Sequence, residues 1–188
     1  SSSLVDRGID EPEDYSPALV EEILREAALA PAEPDALDSA ASAERPNIII
    51  VQMEYFFDVN YLKDPVYSEN PLPNFTALKE ENSHGFLTVP SIGGGTANTE
   101  FDVLTGMQTN ALSDTTTSAM RVINRNLDSL FRVFDADGYR TSFYHPGDAW
   151  FYNRENVYRW LGAEHEVFAK DMKDLEYKGR WVTDDYMA

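Results

Sequence analysis

The run "NIIIVQM", residues 47–53, constrains the fold more than any other stretch of the chain. Three isoleucines and a valine in succession leave no polar face to show to water. That pattern fits a strand buried on both sides, in a parallel sheet covered by helices on either face. The run leads into Glu54, so a carboxylate is expected at the carboxyl end of a central strand. Open α/β sheets bind their ligands at that end.

Strand and helix patterns then alternate. "GFLTVPS" (Gly85–Ser91) and "YRTSFYH" (Tyr139–His145) read as further strands. "PLPNFTALKEEN" reads as a helix capped by Asn74, and a short helix is expected from Thr96 to about Leu104. Residues 118–137 read as one longer helix, with Leu127, Leu130, Phe131 and Phe134 at i, i+3, i+4, i+7 and Gly138 as its stop. "NRENVYRWLG" reads as a helix capped by Asn153 and ended by Gly162. The alternation predicts an α/β fold: a doubly wound, mostly parallel sheet with flanking helices. A chain of 188 residues can bury a real core.

Residues 1–45 have a different character. They carry 12 acidic residues against 3 arginines, half of the net charge of −18. One helix is expected there, in "SPALVEEILREAALA", with Ser16 as cap, Pro17 at the first position and Leu19, Ile23 and Leu24 on one face. The following "PAEPDALDSAASAE" is linker-like. The expected division is therefore an acidic linker with one helix over 1–45 and the α/β domain over 46–188. The opening serines read as a cut edge. "WVTDDYMA" places Thr183 as a helix cap five residues before the last, which reads as a domain cut in its middle.

The charge argues against nucleic acid as a partner, since phosphate would be repelled. The absence of cysteine removes disulfides, thiolate metal sites and cysteine nucleophiles, and with them a sulfatase that relies on a modified cysteine. No apolar run reaches membrane-span length and no signal peptide is visible.

The chemistry concentrates in "SIGGGTANTEFDVLTG", residues 91–106. Three glycines leave bare backbone before a helix, and a helix start favours anions, phosphate above all. Thr96 is then a nucleophile at that anion or a plain helix cap. A nucleotide P-loop fails, because no lysine follows the glycines. Glu54 is a hard oxygen ligand suited to Mg²⁺ or Mn²⁺. The second cluster is "HPGDAWFYNRENVY". Arg154 can hold a phosphate in a bidentate fork, while Tyr152 and Trp150 can pack a polyol or lipid headgroup. The alternative there is an aromatic core with Arg154 on a helix surface. His145 is a satisfied strand-end histidine or a third substrate-binding candidate. His84 and His165 read as ordinary surface or structural histidines.

"PNIIIVQMEYFFD", "GGGTANTEFDVLTG" and "FYNRENVYRWLG", in this order, resemble the extracellular catalytic domain of the lipoteichoic acid synthase family, the phosphoglycerol transferases of the sulfatase/alkaline phosphatase superfamily. The likeness runs from about Pro46 to the end. It implies Glu54 as metal ligand, Thr96 as nucleophile and metal ligand, and Tyr152 and Arg154 as contacts to the glycerol-phosphate group. Tyrosine at 152 departs from the tryptophan of lipoteichoic acid synthase. The resemblance further implies Mn²⁺, with Mg²⁺ as alternative, and further ligands, an Asp-His pair and a histidine, beyond residue 188. Its implied donor is a phosphatidylglycerol-type headgroup and its acceptor a polymer or glycan, at the outer face of a bacterial membrane, with anchoring helices outside this chain. A sulfatase-like hydrolase, another headgroup transferase and a non-catalytic binding module are the competing expectations. These 188 residues alone are expected to be inactive, to bind metal weakly and to self-associate.

Overall fold

The structure, a computed structural model, describes residues 14–29, 45–53, 56–90, 94–111 and 118–187. The chain divides into two units between Gln52 and Met53. In the first unit the expected helix forms as α1 (Pro17–Leu29). The Ser16 hydroxyl accepts the Leu19 N–H at 3.1 Å, as a cap should.

The run that led the sequence argument does not form a strand. Residues 47–53 have no ladder partner among the described residues, and Ile49 is 84% exposed. The second expected strand fails in the same way: residues 85–90 join no ladder among the described residues, Ser91 lies outside them, and Phe86 is 86% exposed. Apolar β-branched composition supplies the side chains of a buried strand. The strand itself needs neighbours to receive its N–H and C=O groups.

In the second unit, α2 (Pro73–Glu81) starts two residues earlier than expected. Pro73 takes the first position, where its missing N–H costs nothing, and Leu72 rather than Asn74 stands at the cap. The Asn70 side chain holds the entry by accepting the Leu72 N–H at 2.9 Å. Lys79, in the last turn, pairs with the Asp58 carboxylate at 2.5 Å. Phe56 and Phe75 pack edge to face.

The core lies further along the chain. α3 (Thr96–Thr105) starts at Thr96 as expected and runs one residue past Leu104, ending at Gly106 in left-handed backbone. The longer helix over 118–137 is two helices, α4 (Ala119–Val122) and α5 (Leu130–Ala136). The reason is local. Ile123 turns to extended backbone, and Ser129 caps a fresh helix by accepting the Arg132 N–H. The segment between directs its hydrogen bonds outward. Leu127 N–H donates to the Trp160 carbonyl at 3.3 Å, and Arg132 bridges the Leu127 and Trp160 carbonyls at 3.0 Å each.

β1 (Ser142–His145), α6 (Arg154–Leu161) and β2 (His165–Phe168) form a parallel crossover, Ser142 opposite His165 and His145 opposite Phe168. β2 was not anticipated. α6 begins after Asn153 and ends at Gly162, as read from the sequence. Its buried Val157, Tyr158 and Leu161 meet Ala97 and Phe101 of α3 and Met120 of α4 in one apolar cluster. A two-stranded antiparallel hairpin, β3 (Tyr177–Lys178) with β4 (Trp181–Val182), and the short α7 (Asp184–Met187) follow. The fold class is thus α/β with parallel pairing, but among the described residues the parallel sheet has two strands.

Candidate active site

Thr96 is the first residue of α3 and is half-buried. Gly94 and Gly95 bring the chain in with φ of 148° and 78°, both in the region that side chains disfavour. A Cβ at Gly94 would meet nothing within 4 Å, so its glycine is required by backbone angle and not by crowding. Buried Asn98, two residues on, accepts the Ala119 N–H at 2.9 Å and so fastens the start of α4 to α3.

Glu100 lies one turn beyond Thr96, on the same face of the helix. Its carboxylate takes the Arg154 guanidinium in a fork, Nη2 to Oε1 at 2.6 Å and Nε to Oε2 at 3.1 Å. The Tyr158 hydroxyl donates to Oε2 at 2.9 Å. Burial, then the Glu100 charge, push the Tyr158 phenol well above its usual range, so it remains a donor. Arg154 is 3% exposed. It is therefore not a helix-surface cation.

Tyr152 carries a guanidinium over its ring twice, from Arg154 at 5.2 Å and from Arg121 of α4 at 5.4 Å. Tyr152 and Asn153 both sit in left-handed backbone, φ 57° and 58°, immediately before α6. Trp150 is exposed beside them. His145, at the end of β1, accepts the Gly147 N–H at its Nδ1, 2.9 Å away. Burial lowers its pKa, and the nearby Arg154 charge lowers it further against an opposing effect of Glu100. The ring is neutral at pH 7, with its proton on Nε2. Gly147 is required here by space: a Cβ would stand 2.7 Å from the His145 ring.

The structure thus brings Tyr152 against Arg154 and Arg154 against Glu100, one turn beyond Thr96 on α3, and the charges of Arg154 and Glu100 reach His145. Glu54 lies outside the described residues. A carboxylate and a hydroxyl are the hard oxygen donors that Mn²⁺ or Mg²⁺ prefers, so the chemistry of Glu54 and Thr96 suits such an ion. Among the described residues no three His, Asp or Glu side chains come together to hold one. The sequence reading missed Glu100, which looks like any solvated helix acid. Its spacing of four from Thr96, next to apolar Phe101, was the available signal. Among the described residues, no helix is long and apolar enough to cross a membrane.

Residues 46–186 match the family model described as Sulfatase. A Rhizobium meliloti (strain 1021) protein named for modification of cyclic beta-1,2-glucan is 28% identical over 144 residues, which are 77% of this chain and 22% of that protein. The phosphoglycerol transferase GacH of Streptococcus pyogenes, solved in complex with sn-glycerol-1-phosphate, is 28% identical with a TM-score of 0.54, over 64% of this chain and 33% of GacH. The lipoteichoic acid synthase LtaP of Listeria monocytogenes aligns over 52% of this chain and 23% of its own, at 23% identity and a TM-score of 0.46. The chain thus spans about a quarter to a third of the proteins it matches.

Proposed function

The chain belongs to the sulfatase family, and from that premise we propose that it carries the nucleophile region of a phosphoglycerol transferase. Thr96 Oγ1 attacks the phosphorus of a phosphatidylglycerol-type headgroup. A P–O bond to threonine forms, the P–O bond to diacylglycerol breaks, and the threonine proton ends on the departing alcohol. The glycerol-phosphate ester then passes to a hydroxyl of a polymer or glycan, which gives its proton back to Thr96. Two displacements through one hydroxyl are ordinary covalent catalysis. Glu54 and Thr96 would hold a divalent cation, Mn²⁺ or Mg²⁺, and such an ion would favour the alkoxide form of the threonine.

The observation that carries this reading is that Thr96 and the carboxylate binding Arg154 share one face of α3. A nucleophile candidate is thereby held one helical turn from the carboxylate that fixes a guanidinium, a group suited to phosphate. The glycerol phosphate bound by GacH supports the donor, and the glucan named for the Rhizobium relative supports a glycan acceptor. Tyr152 and His145 are placed beside the headgroup in this reading. The outer face of a bacterial membrane is the site of action it entails.

The test, made on the full-length protein because residues 1–188 alone are expected to be inactive, is mass spectrometry of the Thr96 peptide after incubation with phosphatidylglycerol and Mn²⁺, beside an assay for released diacylglycerol. A glycerol-phosphate adduct on Thr96, absent in Thr96→Ala, is expected. Diacylglycerol release that persists in Thr96→Ala would make Thr96 a helix cap and end the reading. Release of free glycerol phosphate to water without transfer would favour a hydrolase. No release and no adduct would favour a binding module.

A further inference from the structure

We propose that Glu100 is a positioning residue of this site: it sets the direction of the Arg154 fork and ties the Thr96 helix to α6, without touching the headgroup itself. The inference rests on the transferase reading above.

The hydrogen-bond account is specific. A guanidinium has five N–H donors in a rigid plane. Glu100 takes Nε–H and one N–H of Nη2, which uses one edge of the fork. The Phe151 carbonyl receives a longer bond from Nη1, at 3.4 Å. What remains for an anion is on the Nη1/Nη2 end, so the carboxylate decides which end of the guanidinium is presented. The Glu100 side chain is 12% exposed and already accepts three hydrogen bonds. As an anion it would repel a phosphodiester, so direct ligand contact is the less fitting role. The pair spans two helices, 54 residues apart in sequence. It therefore fixes α3, and with it Thr96, against the loop that carries Tyr152.

Glu100 also acts on His145. Its charge opposes the lowering effect of Arg154 there. That gives a readout which simple loss of structure would not mimic. Three variants test the inference: Glu100→Gln, Arg154→Lys, and the double exchange Glu100→Arg with Arg154→Glu. Each is followed by thermal midpoint, by the NMR titration of His145, and by kcat and KM for transfer from phosphatidylglycerol. Glu100→Gln should stay folded, move the His145 titration to lower pH, and lower kcat by about 100-fold with little change in KM, the size expected when a group is misaligned by about 1 Å. The exchange should recover thermal stability lost in the single variants and recover no rate. Arg154→Lys should lose rate as well, because an ammonium has no fork.

Wild-type rates in folded Glu100→Gln would overturn the inference. So would an exchange variant that recovers both stability and rate. A His145 titration unmoved by Glu100→Gln overturns it without reference to turnover. Absence of any Thr96 adduct in the wild-type protein overturns the transferase reading instead, and that result is seen before any Glu100 variant is made.

Discussion

Two regions of the second unit contain comparable apolar side chains and fare oppositely. Residues 85–90 hold Phe86, Leu87 and Val89, all exposed. Residues 154–161 hold Val157, Tyr158 and Leu161, all buried. Hydrophobic content does not separate them. α6 satisfies its backbone hydrogen bonds within itself, so it needs only an apolar partner for one stripe, and α3 with α4 provide one. An extended segment closes no hydrogen bonds alone. Burial of a strand therefore needs partners for its backbone as well as its side chains, whereas burial of a helix face needs an apolar surface alone.

The sharpest way to break this contrast is to attack the packed region at its charged pair. Arg154→Ala leaves the Glu100 carboxylate without its guanidinium partner, while the Tyr158 hydroxyl still donates to it. We expect a loss of about 3–5 kcal/mol, read as a shift in the urea midpoint. A loss within about 0.5 kcal/mol would mean that α6 is held by its apolar face alone.

Leu161→Ala tests that apolar face. It should cost about 2–5 kcal/mol by the same measurement, from the cavity left in the cluster. Gly147→Ala is a milder intrusion. Its Cβ displaces the His145 ring, and we expect about 1–3 kcal/mol together with loss of the Nδ1 hydrogen bond. The His145 NMR signals of the variant check this directly.

The Asp58–Lys79 pair should show itself through pH. Lys79, chiefly through its hydrogen bond, lowers the Asp58 pKa below 3.8. The same bond raises the Lys79 pKa above 10.5. The carboxylate contribution is present above its unfolded value and fades as pH falls through the lowered native one. The lysine contribution is present below its unfolded value and fades as pH rises through the raised one. The stability difference between wild type and Asp58→Asn should therefore be flat between about pH 4 and 10 and shrink outside that window. The smallest effect belongs to the unpacked region: Phe86→Ser should change stability by at most about 0.5 kcal/mol. A large destabilisation would show that residues 85–90 are packed in solution.

The same contrast explains what the sequence made legible. α1 and α6 could be read from their caps, because Ser16 and Gly162 act within a turn of where they stand. The break at Ile123–Ser129 could not, because the Trp160 carbonyl that draws it out of helix lies 33 residues beyond Leu127. Likewise Thr96, Tyr152 and Arg154 could be singled out as candidates from local pattern. Glu100 did not, since its significance comes from a helix whose approach no spacing encodes. The apolar runs at 47–53 and 85–91 gave the right composition for strands and carried no information about partners.

The left-handed pair Tyr152–Asn153 has a consequence for how specificity can change. A side chain leaves left-handed backbone along a direction that ordinary helical or extended residues do not offer. The loop is thus a socket: the backbone dictates the bearing of whatever ring is fitted there, and ring size alone sets the reach. In the transferase reading proposed above, aromatic exchange at 152 would alter the depth of the contact while leaving its aim intact, so the headgroup recognised could drift by single substitutions without rebuilding the loop.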